Sequence, residues 1–213
     1  MRTLSMFGLA LVLAGCSGAY YGAMEKIGFA KREILVDRVG DARKAQAQAK
    51  EQFSDALQQF LAITQVKTGD LKTRYEKLDS EFKRSEARAQ AVNDRIAKVE
   101  DVADALFKEW RSELKQYSDQ NLRVQSERQY DQTRERYLGL LRTMKAAAKS
   151  MDPILVKFRD QVLFLKHNLN AQAIAGLSTT AKGLEADISR LISEMENSIR
   201  EADAFIRTMQ TPS

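Results

Sequence analysis

The stretch LDSEFKRSEARAQAVNDRIAKVEDVADALFKEW, residues 78–110, carries the clearest periodic pattern in the chain. Its apolar residues recur at alternating steps of three and four, and only Ser85 interrupts them. This spacing is typical of a helix that buries one face against partner helices, as in a coiled coil. Neither Gly nor Pro occurs from Asp70 to Leu138, so no strong helix breaker interrupts this region. A helix over 70–117 would be about 70 Å long, which requires similarly long partners.

The same periodicity extends to both sides of this stretch. Before it, a seam runs from Leu35 to Ile63 with Gln46 as a polar member, and after it another runs from Leu184 to Met209. Stop signals at Gly69, Pro153 and Gly176 divide the chain into segments. We therefore predict an all-α fold, an elongated antiparallel coiled coil or long helical bundle, in one domain over 24–211. The predicted helices are 24–66, 70–117, 123–150, 153–175 and 179–210.

The amino-terminal stretch LVLAGCSGAYYG, residues 11–22, ends an apolar run on the only cysteine. The run is about ten residues long, roughly half of what a membrane-spanning helix needs. Its single positive charge, short apolar middle and small final residues are typical of a secretory signal, predicted here as 1–15. Leu13, Ala14, Gly15 and Cys16 look like the lipobox of bacterial lipoproteins.

That resemblance implies cleavage before Cys16 and acylation of the new amino terminus, with 16–23 as a lipidated tether. The alternative is an ordinary signal peptide in which Cys16 occurs by chance. Ser17 rather than Asp follows the cysteine, and by analogy with enterobacterial sorting this favours the outer membrane over the inner membrane. The expected location is the periplasmic face of the outer membrane.

Patterns for catalysis or cofactor binding are missing from the sequence. One His and one Cys are present, with no HExxH, CxxC, GxGxxG, Walker or GxSxG pattern. The 34 basic and 29 acidic side chains are interleaved rather than clustered, which argues against nucleic acid. We therefore expect no enzymatic activity, no cofactor, no metal and no nucleic-acid partner.

Two groups of residues are candidates for binding. Leu106, Trp110, Leu114 and Tyr117 share one face of the second predicted helix, either as core or as a partner face. A polar group near the end of the fourth predicted helix lies among strongly apolar residues and would either fix packing, cap a turn or form a ligand site. Its members are Lys166, His167, Asn168 and Asn170.

The chain resembles an uncharacterised family of proteobacterial lipoproteins that carry a domain of unknown function. The residues that carry this resemblance are KREILVDRV (31–39), GDLKTRYEKL (69–78), ALFKEWRSELKQY (105–117), QTRERY (132–137) and RDQVLFLKHNLNA (159–171). The resemblance implies a helical exported lipoprotein and supplies no activity, ligand or catalytic residue.

The expected function is that of a non-enzymatic scaffold or partner-binding module, anchored to the membrane through acylated Cys16. Two alternatives remain open, a holdase-type periplasmic chaperone and a membrane-remodelling helical hairpin. A protein partner is expected, and a homo-oligomer is equally open because intramolecular and intermolecular coiled coils share the same seam.

Overall fold

The computed structural model describes residues 31–64, 71–168 and 171–210, with the side chains of 171–175 excepted. The described ranges form five helices and no strand: α1 (Lys31–Thr64), α2 (Leu71–Glu113), α3 (Gln120–Lys149), α4 (Met151–His167) and α5 (Ala171–Gln210). The predicted all-α helical bundle is confirmed. The predicted signal peptide, lipobox and tether (1–23) lie outside the described residues.

Helix α1 runs antiparallel to α2. At the start of α1, Lys31 Nζ lies 2.8 Å from Glu109 Oε1 near the end of α2. In the second half of α1, Gln52 Nε2 donates to Glu81 Oε2 at 2.8 Å in the first half of α2. The two helices therefore pack side by side in opposite directions along most of their length.

Helix α5 packs against α1 in the same antiparallel sense. Arg32, in the first turn of α1, donates from Nε and Nη2 to the carbonyl oxygen of Met209 at 2.9 and 2.6 Å. Nearer the middle of the two helices, Lys50 Nζ of α1 lies 3.2 Å from Glu196 Oε1 of α5. Helix α1 is thus held between α2 and α5.

Helices α3 and α4 together contribute the fourth column of the bundle. Only Ser150 separates them, and its backbone N–H still donates to Ala146 O at 3.1 Å. Pro153, the third residue of α4, has no N–H with which to continue the backbone ladder, which explains the break. Helix α4 nevertheless begins at Met151, two residues before the predicted start.

The four columns run up, down, up and down, and α5 with its 40 residues is about 60 Å long. One end of the bundle, called here the Lys31 end, contains the start of α1, the connection 114–119 and the last turn of α5. The opposite end, the His167 end, contains the end of α1, the start of α2, the end of α4 and the start of α5.

The core consists of the predicted seams. Every predicted apolar seam residue of α1 and α5 is buried, and so are those of α2 from Leu78 to Leu106. Phe158 of α4 joins the columns, because its ring lies 5.8 Å from that of Phe60 and 6.3 Å from that of Phe82. Such edge-to-face pairs add to the free energy gained from burial.

Two polar seam positions meet inside the bundle. Gln46 of α1 and Ser198 of α5 are both fully buried, and Ser198 Oγ donates to Gln46 Oε1 at 3.0 Å. Gln46 Nε2 has no hydrogen-bond partner among the described residues. The interruption of the α1 seam therefore corresponds to a buried polar pair, with one amide donor left unsatisfied.

Some predicted helix ends differ from the structure. Helix α2 ends at Glu113 rather than at 117, because its last turn tightens, with Gln116 N donating to Glu113 O at 2.8 Å. The predicted stop around Gly176 is wrong, since α4 ends at His167 and Gly176 lies inside α5. A helical Gly costs only about 1 kcal/mol relative to Ala, and burial of the neighbouring Leu177 outweighs that cost.

Candidate functional site

The predicted partner face at the end of α2 does not form one exposed surface. Leu106 and Leu114 are buried in the bundle, and Trp110 is half-buried with its Nε1 donating to Ser126 Oγ at 2.9 Å. Tyr117 is 42% exposed and lies in the connection after α2. Three of the four residues therefore pack between columns, and only Tyr117 faces solvent.

Trp110 belongs to a cluster of aromatic side chains between α2 and α3. The Trp110 and Phe107 rings meet the Tyr130 ring edge to face, with centroids 5.7 and 5.6 Å apart. The Phe107 ring also lies 5.4 Å from that of Tyr137, and Arg111 Nη2 donates to the Tyr130 hydroxyl at 2.8 Å. Each such aromatic pair is worth about 0.5–1.5 kcal/mol, so this cluster fastens α3 onto α2.

Tyr137 shows how burial affects ionisation in this cluster. Burial raises the pKa of its phenol well above the ordinary value, and the Asp104 and Glu100 carboxylates raise this pKa further. A negative charge on the ring would lose hydration and face two like charges. The phenol therefore stays protonated at neutral pH and acts as a packing group.

The predicted polar group at the end of α4 is only partly brought together. Lys166 and His167 are exposed, because Leu165 occupies the inner position of this turn. Asn168 caps α4, with its N–H donating to Leu165 O at 3.2 Å and its Nδ2 to Phe164 O at 3.0 Å. Asn170 lies outside the described residues.

Helix α4 also carries an exposed apolar surface. Val156, Leu163 and Phe164 are 47%, 48% and 46% exposed. At 100° per residue they share one side of the helix with Asp160 and His167, opposite the buried side. We call this surface, Val156, Asp160, Leu163, Phe164 and His167, the α4 outer face.

The spacing of the buried residues contained a signal for this surface. Ile154, Phe158, Val162 and Leu165 follow steps of four, four and three, which defines the inner side of α4. Val156, Leu163 and Phe164 fall outside this seam and face solvent, whereas Leu155, beside the seam, is half-buried against the core. The apolar content of the whole segment does not distinguish the buried inner side of α4 from its exposed outer side.

Within 31–64, 71–168 and 171–210, no three His, Cys, Asp or Glu residues converge as metal ligands would. No helix in the same part of the chain is long and apolar enough to cross a membrane.

Comparison with known proteins places the chain in a family. Residues 20–209 match the model of a family described as "Protein of unknown function (DUF2959)". The chain belongs to the DUF2959 family. No curated protein and no solved structure matches the chain.

The DUF2959 domain includes all five helices of the bundle, from the beginning of α1 almost to the end of α5. The aromatic cluster and the α4 outer face are thus both parts of this domain. Cys16 and the lipobox residues precede the matched range.

Proposed function

We propose that this DUF2959 protein is a lipoprotein of the outer membrane that acts as a non-enzymatic scaffold or partner-binding module in the periplasm. Acylated Cys16 anchors it, and the helical bundle presents a binding surface at a distance from the membrane. The α4 outer face is the observation that carries this proposal. Three of the six large apolar side chains that are exposed in the described part of the chain lie together on this side of α4, and protein partners cover exposed apolar patches of this kind.

The position of the α4 outer face supports a spacer role. Phe158 of α4 packs beside Phe60, which follows Lys31 by 29 residues of helix α1. At ~1.5 Å per residue, the surface lies about 40–50 Å from the Lys31 end along the bundle. Since Cys16 precedes Lys31 in the chain, an anchor at Cys16 is connected to the bundle at the Lys31 end, which is opposite to the α4 outer face.

Anchoring also explains how a modest apolar surface suffices for binding. A lipid-anchored protein is confined to the membrane plane, which raises its effective concentration for partners there. Two or more acyl chains on one residue hold firmly, because each buried CH₂ contributes about 0.8 kcal/mol.

Metabolic labelling with palmitate tests the anchor. The full chain should incorporate the label and fractionate with the outer membrane, whereas Cys16→Ser should lose both properties. Ser17→Ala is the matched control, because it changes the neighbouring residue and leaves the thiol intact. Label that persists in Cys16→Ser would refute the lipoprotein proposal.

Site-specific photo-cross-linking in cells tests the binding surface. A photoreactive side chain at Leu163 should give one discrete adduct, and the same group at the exposed Ser193 of α5 should not. Adding Phe164→Ser to the Leu163 probe should weaken the adduct. Equal adducts from the Leu163 and Ser193 probes would show that the α4 outer face is not a preferred surface.

A holdase-type chaperone is a second candidate, favoured by the same exposed apolar side chains. A holdase would suppress aggregation of many unfolded proteins, and Leu163→Ser/Phe164→Ser would lower that suppression. A scaffold would show a discrete adduct without general suppression of aggregation. Light scattering of a denatured test protein, mixed with the purified chain, distinguishes these two functions.

A further inference from the structure

A second surface feature lies at the Lys31 end of the bundle. A cleft of about 80 Å³ opens there between α1, α3 and α5, with Trp110 of α2 on its wall. Its lining combines polar and basic residues with the apolar side chains of Trp110, Phe205 and Met209. The polar and basic residues are Arg32, Gln129, Gln132, Thr133, Arg136 and Thr208. No acidic residue is among the described residues that line the cleft.

Arg32 is held in place on one side of this cleft. Its Nε and Nη2 atoms donate to the carbonyl oxygen of Met209, near the carboxyl end of α5. A guanidinium has five N–H donors in a rigid planar fork, so this contact leaves others for a further acceptor. The hydrogen bonds to Met209 thus preorganise a cation at the cleft.

Arg136 supplies a second cation from α3. It is exposed and forms no ion pair with a carboxylate in the described part of the chain. By contrast, Arg190 on α5 lies 2.9 Å from an Asp187 oxygen. Two guanidinium groups without a carboxylate in the same small cleft create a positive potential that favours an anion.

The remaining lining residues suit an anion with several oxygen atoms. The Gln129 and Gln132 amides and the Thr133 hydroxyl are hydrogen-bond donors on the α3 side of the cleft. Thr208 donates its hydroxyl hydrogen to Ala204 O at 2.9 Å and is therefore not an available donor. The cleft of about 80 Å³ has room for one small tetrahedral group.

We infer that this cleft binds a phosphate group, free or as part of an anionic lipid headgroup, through Arg32 and Arg136. Guanidinium pairs phosphate oxygens in bidentate geometry more effectively than a point charge does. The apolar wall of the cleft would contact the organic part of a phosphate ester. Binding of free phosphate does not depend on the proposed membrane anchor.

A lipid headgroup is a reasonable source of the phosphate group, because the cleft lies at the Lys31 end of the bundle. Lys31 follows Cys16 by 15 residues, and such a tether spans at most about 50 Å when fully extended. A chain anchored at Cys16 would therefore keep the Lys31 end of the bundle within reach of the bilayer surface. Binding of a lipid headgroup therefore rests on the proposed function, because it requires the anchor at Cys16.

Fluorescence provides a direct test, since Trp110 is the only tryptophan in the chain and lines the cleft. The purified full chain is titrated with inorganic phosphate at constant ionic strength, with chloride as the reference. In a second titration, phosphatidylglycerol vesicles are compared with phosphatidylcholine vesicles. We expect a saturable change in Trp110 emission, and a Kd at least about ten-fold weaker in Arg136→Gln, the effect of losing one charge-assisted contact.

The matched control is Arg142→Gln, which removes an exposed arginine of the same helix that does not line the cleft. Its Kd should equal that of the unchanged chain, while Arg136→Lys should lie between those of the unchanged chain and Arg136→Gln. Circular dichroism and thermal unfolding check that each variant remains folded.

The two titrations also identify the source of the phosphate group. A response to inorganic phosphate that is lost in Arg136→Gln indicates a free phosphate ligand. A response to phosphatidylglycerol vesicles alone, again dependent on Arg136, indicates a lipid headgroup. No saturable change in either titration, or equal weakening in Arg136→Gln and Arg142→Gln, would overturn the inference.

Discussion

Replacement of Gln46 by Met should stabilise the bundle. Gln46 is fully buried, accepts one hydrogen bond from Ser198 Oγ, and leaves its Nε2 donor without a partner among the described residues. A buried unsatisfied donor costs about 1–3 kcal/mol. Met has a similar length and shape without the buried amide, so the substitution removes that cost with little repacking.

The stabilisation that the Gln46→Met substitution removes is small. The Ser198–Gln46 hydrogen bond contributes about 1 kcal/mol net. After the substitution, the Ser198 hydroxyl can donate to the carbonyl four residues earlier in α5, as helical Ser residues often do. We therefore expect the free energy of unfolding to rise by about 1–2 kcal/mol, and Tm by about 2–4 °C per kcal/mol.

Urea unfolding followed by circular dichroism measures this change. The exposed Gln58 of α1 supplies the matched control, since Gln58→Met should alter the free energy of unfolding by less than about 0.5 kcal/mol. Adding Ser198→Ala to Gln46→Met should change little, because the hydroxyl no longer bonds between helices and its bond within α5 contributes little to stability. A Gln46→Met variant with a lower urea midpoint than the unchanged chain would refute the reasoning, because the amide would then contribute more than it costs.

Three other changes test the packing, the ionisation and the helix start described above. Phe158→Ala should lower the free energy of unfolding by about 3–5 kcal/mol in urea, whereas Phe164→Ala, on the α4 outer face, should cost far less; equal losses would contradict the assigned burial. Because the pKa of Tyr137 is raised in the folded state only, its contribution to the free energy of unfolding is complete below the ordinary tyrosine value and falls as the pH rises above about 10. Ultraviolet absorbance should show this phenol ionising last, and Tyr137→Phe should weaken the alkaline loss of stability; an unchanged pH profile would count against the burial effect. Asp119 Oδ1 accepts from two backbone N–H groups at the start of α3, so Asp119→Ala should lower stability by about 1 kcal/mol in thermal unfolding; Asp131→Ala, on an exposed turn of α3, should not, and a similar loss in both variants would argue against the cap.

The helices and their buried sides could be predicted from the sequence because helical periodicity is a local property. The run from Leu78 to Leu106 has one period, no helix breaker and a seam that only Ser85 interrupts, and the structure buries that seam. The ends of the helices were harder to predict. Gly176 reads as a stop signal, yet a cost of about 1 kcal/mol is small beside the burial of adjacent side chains.

The binding candidates show the limit of local patterns more clearly. Trp110 and Leu163 both occur in apolar helical stretches, but Trp110 packs against α3 and Leu163 faces solvent. The spacing of the buried residues places Leu163 off the inner side of α4, but how far an off-seam side chain is covered depends on the number of columns around the helix, which local spacing does not contain. The Arg32–Met209 contact at the cleft between α1, α3 and α5 likewise joins residues 177 positions apart.

The sequence by itself determined that the described part of this protein consists of long amphipathic helices and which seam of α1, α2 and α5 faces inward; the lipid anchor at Cys16 stays a prediction. Only the tertiary structure decided which seams meet, that α3 and α4 together form one column, and that Gln46 faces Ser198. The physical reason is that a heptad seam requires burial against some helix without specifying which one. The choice is made by the connections, by the fit of the side chains and by the polar pairs that the finished bundle encloses.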